Sequence, residues 1–280
     1  MIQRLGFLAL LAAASSIAAP ARAAESYDNC TGYIDSLPAS ISTQGTWCLR
    51  KHLYSSMTSG AAISVLTDNV TVDCNHFRLS GFGAGAASDA IGITAGASRL
   101  NATIRQCRIQ GFKYGVALYG SGHLVERNRF DGNTYVAIHT QGDNNEIRGN
   151  AIADTGGRPG SRYADAIDAY GHDAKVLDNS ILGVSPLGTP AGDRSAYGID
   201  IHYGLAQGNR ISGLVSGGAD QAYGINLHNS IARDNVLLPV TGSGTGIHGT
   251  SATTSICQDN TIKGYPAAHV DCQISGNIVQ

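Results

Sequence analysis

The stretch Tyr197-Gly198-Ile199-Asp200-Ile201-His202 is one copy of a short unit that returns along the chain. The other copies are Ala90-Ile91-Gly92-Ile93, Gly115-Val116-Ala117-Leu118, Ala137-Ile138-His139, Ala166-Ile167-Asp168, Gly224-Ile225-Asn226-Leu227 and Gly246-Ile247-His248. From Gly115 onward each is followed, after roughly 10 to 16 residues, by an Asn that opens a second apolar segment. These segments begin at Asn128, Asn150, Asn179, Asn209, Asn235 and Asn260. The period varies between about 21 and 32 residues, and the excess falls in insertions rich in Gly, Pro and Ser.

Short strands at such a period, separated by Gly and Asn, predict a parallel β-helix. One rung cannot bury its own apolar face, so rungs stack about 4.8 Å apart and share a core. The recurrent Asn suits a tight turn, where it tolerates left-handed backbone and can hydrogen-bond its counterpart one rung away. A propeller blade is longer, a sandwich does not repeat its sequence, and no segment sustains a helical period. The expected fold is all-β, a single domain of about nine rungs over residues 61–280, with an N-terminal cap at 24–60 covering the open strand edge.

Composition agrees. Gly is 36 of 280 residues, and charged residues are 14%, well below the usual quarter, which excludes a disordered chain or a basic nucleic-acid binder. Arg4, the apolar run from Leu5 to Ala14 and Ala21-Arg22-Ala23 predict a signal peptide over 1–23. That run is too short to span a bilayer, so no membrane insertion is expected, and the mature chain is placed outside the cell or in the periplasm. Of 19 basic residues, loss of Arg4 and Arg22 leaves 17 against 21 acidic, a mature net charge of −4. An even six cysteines in an exported chain predict disulfides, with Cys30–Cys48, Cys74–Cys107 and Cys257–Cys272 the preferred pairing because staples near the ends of a stack oppose fraying.

Alternation identifies the outward side chains. With Ile199 and Ile201 inward, Asp200 and His202 face solvent, and so do Asn226 and His228, Asp168 and Tyr170, His139 and Gln141, and His248. Four of the nine His thus fall on one polar strip. His52, His76 and His123 lie off it and are expected at the surface or in the cap. The longest insertions, 156–164 and 185–196, precede the rungs of Asp168 and Asp200 and suit the walls of a groove for a polymer. Arg158, Arg162 and Arg194 lie in them and could pair with substrate carboxylates.

The segments Trp47-Cys48-Leu49, Ile63-Ser64-Val65 and Val70 to Asn75, ending at Leu79-Ser80-Gly81, resemble the opening of right-handed parallel β-helix repeat proteins of the pectate-lyase-like superfamily. Tyr197-Gly198-Ile199-Asp200-Ile201-His202 is similar to the Tyr-Gly-Phe-Asp-Pro-His segment of mannuronan C-5-epimerases. That resemblance implies catalytic roles for Tyr197, Asp200 and His202. The family's further Asp falls on Asn226, which cannot act as a carboxylate, and Ile201 replaces its Pro.

Such a cluster suits β-elimination or C-5 epimerisation of a uronic acid. The C-5 proton becomes removable once the adjacent carboxylate is neutralised by an Arg, a protonated acid or a metal ion. His202 would be the base, a Tyr the acid, and Asp200 the orienting group. Strict alternation turns Tyr197 inward, where it could stack as a structural corner with Tyr114 and Tyr223; the outward Tyr170 and Tyr119 are its substitutes. Asp168, Asn226, His228, His139 and His248 are candidate substrate-binding residues. The expected partner is a polysaccharide, a polyuronate first. No motif demands a metal, although calcium between Asp168, Asp200 and substrate is compatible. A glycoside hydrolase using Asp168 and Asp200, and a non-catalytic glycan-binding or adhesive protein, are the alternatives.

Overall fold

Every Ile-centred unit forms a strand, and every strand pairs in parallel with its counterparts one rung before and one rung after. The computed structural model describes residues 29–188 and 192–280; the expected leader at 1–23 lies outside them. The chain is a parallel β-helix with three faces. The Ile-centred strands make the first face and the segments after the corner make the second. These merge into one 19-stranded sheet because Tyr163–Leu177 and Ser195–Gln207 run through both faces. The Asn-led segments make the third face, a separate sheet of ten strands. The coil begins early: Ala39–Ile41 already pairs with Ala61–Val65, and Gly45–Leu49 with Val70–Asp73.

Register, more than hydrophobicity alone, builds the core. Ile63, Ile93, Val116, Ile138, Ile167, Ile199, Ile225 and Ile247 are mutually aligned on the first face, and all are fully buried. Leu79, Ile109, Phe130, Ile152, Ile181, Ile211, Leu237 and Ile262 form the matching column on the third. Each such side chain contributes about 1.5–3 kcal/mol by leaving water, and only stacking supplies the partner surface.

The Asn residues form a continuous buried ladder. In each step an Asn Nδ2–H donates to the next Asn Oδ1 and to a main-chain carbonyl of the preceding rung, while its backbone N–H donates to the same Oδ1. The ladder runs from Asn128 through Asn150, Asn179, Asn209, Asn235 and Asn260 to Asn277. The left-handed position expected of these Asn belongs instead to the residue before each: Arg127, Gly149, Asp178, Gly208, Asp234, Asp259 and Gly276 all have φ between 53° and 68°. The Asn is needed for its amide, not for its backbone.

The disulfides are Cys30–Cys48, Cys74–Cys107 and Cys257–Cys272, the pairing preferred from the sequence. His123, expected at the surface or in the cap, is buried: its Nδ1 accepts from the Ala102 N–H, and its own N–H donates to Asn145.

Candidate active site

The outward column of the first face reads Thr94, Ala117, His139, Asp168, Asp200, Asn226 and His248 in strict register. Beside it runs a second column of Tyr119, Gln141, Tyr170, His202 and His228. Alternation along rigid strands therefore brings together the side chains that the sequence singled out.

Asp200 is the centre of the upper part. Asn226 Nδ2–H donates to Asp200 Oδ1 at 3.1 Å and to His228 Nε2 at 2.9 Å. His248 Nδ1–H donates to Asn226 Oδ1 at 2.8 Å, which fixes the orientation of the amide. The His202 and His228 rings stack at 3.8 Å with nearly parallel planes, and His202 Nε2 lies 3.8 Å from Asp200 Oδ1. Tyr170 lies against His202 with ring centroids 4.4 Å apart. One rung below, His139 Nδ1 and Asp168 Oδ2 form a 2.8 Å pair. Asn226, the departure from the epimerase pattern, is thus the hub that links Asp200, His228 and His248.

Tyr197 faces this cluster, not the core. A Cβ on Gly198 would sit 2.7 Å from Ile211 Cγ2 and 2.5 Å from the Gly224 carbonyl oxygen, so position 198 points inward. Ile199 is also inward and fully buried. Two successive inward positions break the alternation, which turns Tyr197 outward, where it stacks on Tyr223 at 5.1 Å. Only a residue without a side chain fits there, which explains the Gly after Tyr114, Tyr197 and Tyr223.

Asp165 was not singled out from the sequence. It is in register with Tyr197, three residues before Asp168, and no side-chain hydrogen bond or ion pair engages it among the described residues. The signal available was positional: Asp165 stands where Tyr114, Tyr197 and Tyr223 stand in other rungs.

Electrostatics separate the roles. Loss of solvent, then the nearby Asp168 and Asp200, hold the Asp165 carboxyl well above the usual carboxylate range. Burial, then Asp165, pushes the Tyr197 phenol up, so it stays protonated. Burial, then the neighbouring His228 ring, lowers His202 against the opposing pull of Asp200. His248 is lowered chiefly by burial.

The arginines lie elsewhere. Arg158 reaches back to Asp89 and to the Ala87 and Ser88 carbonyls, and Arg162 forms a two-pronged pair with Asp220. Arg194 packs over Gly217, to which its backbone also bridges. The insertions that carry them are stitched to the coil by these contacts.

Asp200, His202 and His228 offer one carboxylate oxygen and two imidazole nitrogens, all within 4.8 Å of one another. Two imidazoles with one carboxylate suit a transition metal, whereas calcium takes oxygen ligands. The stacked rings, 3° from parallel, aim their lone pairs side by side, and a shared ion would need one ring to turn.

A family described as the right-handed β-helix region matches residues 89–279. No curated protein sequence matches the chain. Among solved structures, the Dettilon tailspike protein is similar over 88% of this chain and 60% of its own length, at 12% identity and a TM-score of 0.44. The A-module of a mannuronan C-5-epimerase from Azotobacter vinelandii is similar over 84% of this chain and 80% of its own, at 14% identity and a TM-score of 0.29. This chain therefore spans less than two thirds of the tailspike. No helix among the described residues is long and apolar enough to cross a membrane.

Proposed function

The chain belongs to the right-handed β-helix family, and on that scaffold we propose an exported enzyme that removes the C-5 proton of uronic acid residues in an acidic polysaccharide. One observation carries this reading: an imidazole kept neutral, His202, and a phenol kept protonated, Tyr197, flank Asp200 on the outward face of one strand. A base and an acid held on one rigid element are what proton abstraction at a carbon acid requires.

His202 takes the C-5 proton and Asp200 stabilises the imidazolium that forms. Asp165, protonated, donates to the substrate carboxylate and so favours the carbanion. Tyr197 then gives its proton to the C-4 oxygen, breaking the C4–O bond as the C4=C5 bond forms, or to the opposite face of C-5, giving the epimer. Three disulfides accord with an oxidising compartment outside the cytosol.

A hydrolase, expected from the sequence to use Asp168 and Asp200, would on this site draw its general acid from the protonated Asp165 instead, with Asp200 as base. Asp165→Asn separates the two, because an amide still donates a hydrogen bond but has no proton to transfer. With alginate, polygalacturonate and hyaluronate as substrates, the expected Asp165→Asn variant keeps at least a tenth of the wild-type rate, while Asp165→Ala and His202→Ala fall about 100-fold or more. New reducing ends without unsaturated uronate, abolished by Asp165→Asn, would establish the hydrolase instead.

A further inference from the structure

Tyr203 occupies a backbone position that its side chain does not favour. Its φ is 53°, in the left-handed region where a bulky residue is uncommon. The next rung fills the corresponding corner with Asn229 at φ 51°, a residue that tolerates this conformation. The preceding rung turns the same corner with Gly171, His172 and Asp173, between the pairs Tyr170–His202 and Ala174–Gly204. Tyr203 alone replaces those three. The ring gains little burial in return, since Tyr203 is 43% exposed. Strain held at an exposed aromatic residue directly after His202 calls for a use.

That ring is part of a platform. His172 stacks on Tyr203 with centroids 4.8 Å apart and planes 28° from parallel, and Tyr170, also exposed, lies against His202. They border an open depression of about 440 Å³, completed by Gln141, Gly142, Asp143 and Gly171. No lysine or arginine lines it. An aromatic floor with an amide and a carboxylate at the rim complements the C–H face and hydroxyls of a sugar, not its carboxylate.

From this geometry we infer that Tyr170, His172 and Tyr203 form a stacking subsite for one pyranose ring, next to the residue whose proton His202 removes. The subsite rests on the polysaccharide reading above but not on turnover. The polymer would cross from the first face over the corner, with the C–H face of a sugar on Tyr203 and its hydroxyls at Gln141 and Asp143. Its role is affinity and register along the chain, so it acts on KM more than on kcat.

The test is affinity electrophoresis in gels cast with alginate, polygalacturonate or hyaluronate, with wild type, Tyr203→Asn and Tyr203→Phe, beside thermal unfolding of each. Asn is the residue that the next rung uses, so Tyr203→Asn should unfold at or above the wild-type temperature. It should nevertheless bind the retarding polymer about three- to tenfold more weakly, while Phe, which keeps the ring, binds as wild type. A wild type that binds but does not turn over, with the same loss in Tyr203→Asn, would uphold the subsite and remove the catalytic reading. Equal binding by Tyr203→Asn, or an equal loss in Tyr203→Phe, would overturn the subsite. A wild type that binds none of the polymers would overturn both.

Discussion

Asp165, Tyr197 and His202 are three titratable groups on two adjacent strands whose protonation is set by where the coil places them. His202 must be neutral to act, and its pKa is depressed from 6.5, so activity should hold through neutral pH and fall only as pH drops below that value. Asp165 must be protonated, so activity should fall again as pH rises through its elevated pKa. In a pH–rate profile, Asp165→Asn should erase the alkaline limb and keep the acid one. Stability carries the same signature. Because the folded-state pKa of Asp165 is raised above 3.8, folding loses free energy as pH climbs from there through the raised value. Asp165→Asn should therefore raise Tm at pH 7 and leave it unchanged at pH 3. At this scale the sequence was partly legible. Asp200, His202, Asn226, His228 and His248 followed from alternation alone. Tyr197 did not, because the inward turn at Gly198 is a packing fact, and Asp165 was hidden by standing in a tyrosine's place.

A single strand of this coil has almost no stability of its own, and the Asn ladder shows what couples one rung to the next. Asn179 Oδ1 accepts both the N–H and the Nδ2–H of Asn150, and Asn179 Nδ2 donates to the Ile147 carbonyl and to Asn209. Asn179→Ala would strand several of these groups in a site that water does not reach, at a cost of about 2–4 kcal/mol. Thermal or denaturant unfolding should show that loss, whereas Asn277→Ala, at the partly open end of the ladder, should lose less. The repeat of Asn was plain in the sequence. Its partition of labour was not: the residue before it takes the left-handed conformation and the Asn supplies the hydrogen bonds, a distinction that only φ reveals.

Across the whole molecule, the aligned Ile column and the disulfides near both ends fix a rigid face about as long as the stack itself. The outward strip on that face carries Asp165, Asp168 and Asp200, all partly buried, while Arg158 and Arg162 are paired with Asp89 and Asp220. The loops could be read from the sequence as groove walls, but not where their cations would go, because Asp89 and Asp220 lie some 60 to 70 residues away along the chain. With Arg158 and Arg162 paired in this way, a neutral donor on the face itself can meet the carboxylate beside the departing proton, which is the task given to Asp165. The most direct measurement is proton NMR of alginate, polygalacturonate and hyaluronate incubated with the protein in deuterated water. Removal of the C-5 proton predicts that this signal disappears from at least one polymer, through a double bond or exchange for deuterium, and persists with His202→Ala. An intact C-5 proton in every polymer, or exchange that survives His202→Ala, would contradict it.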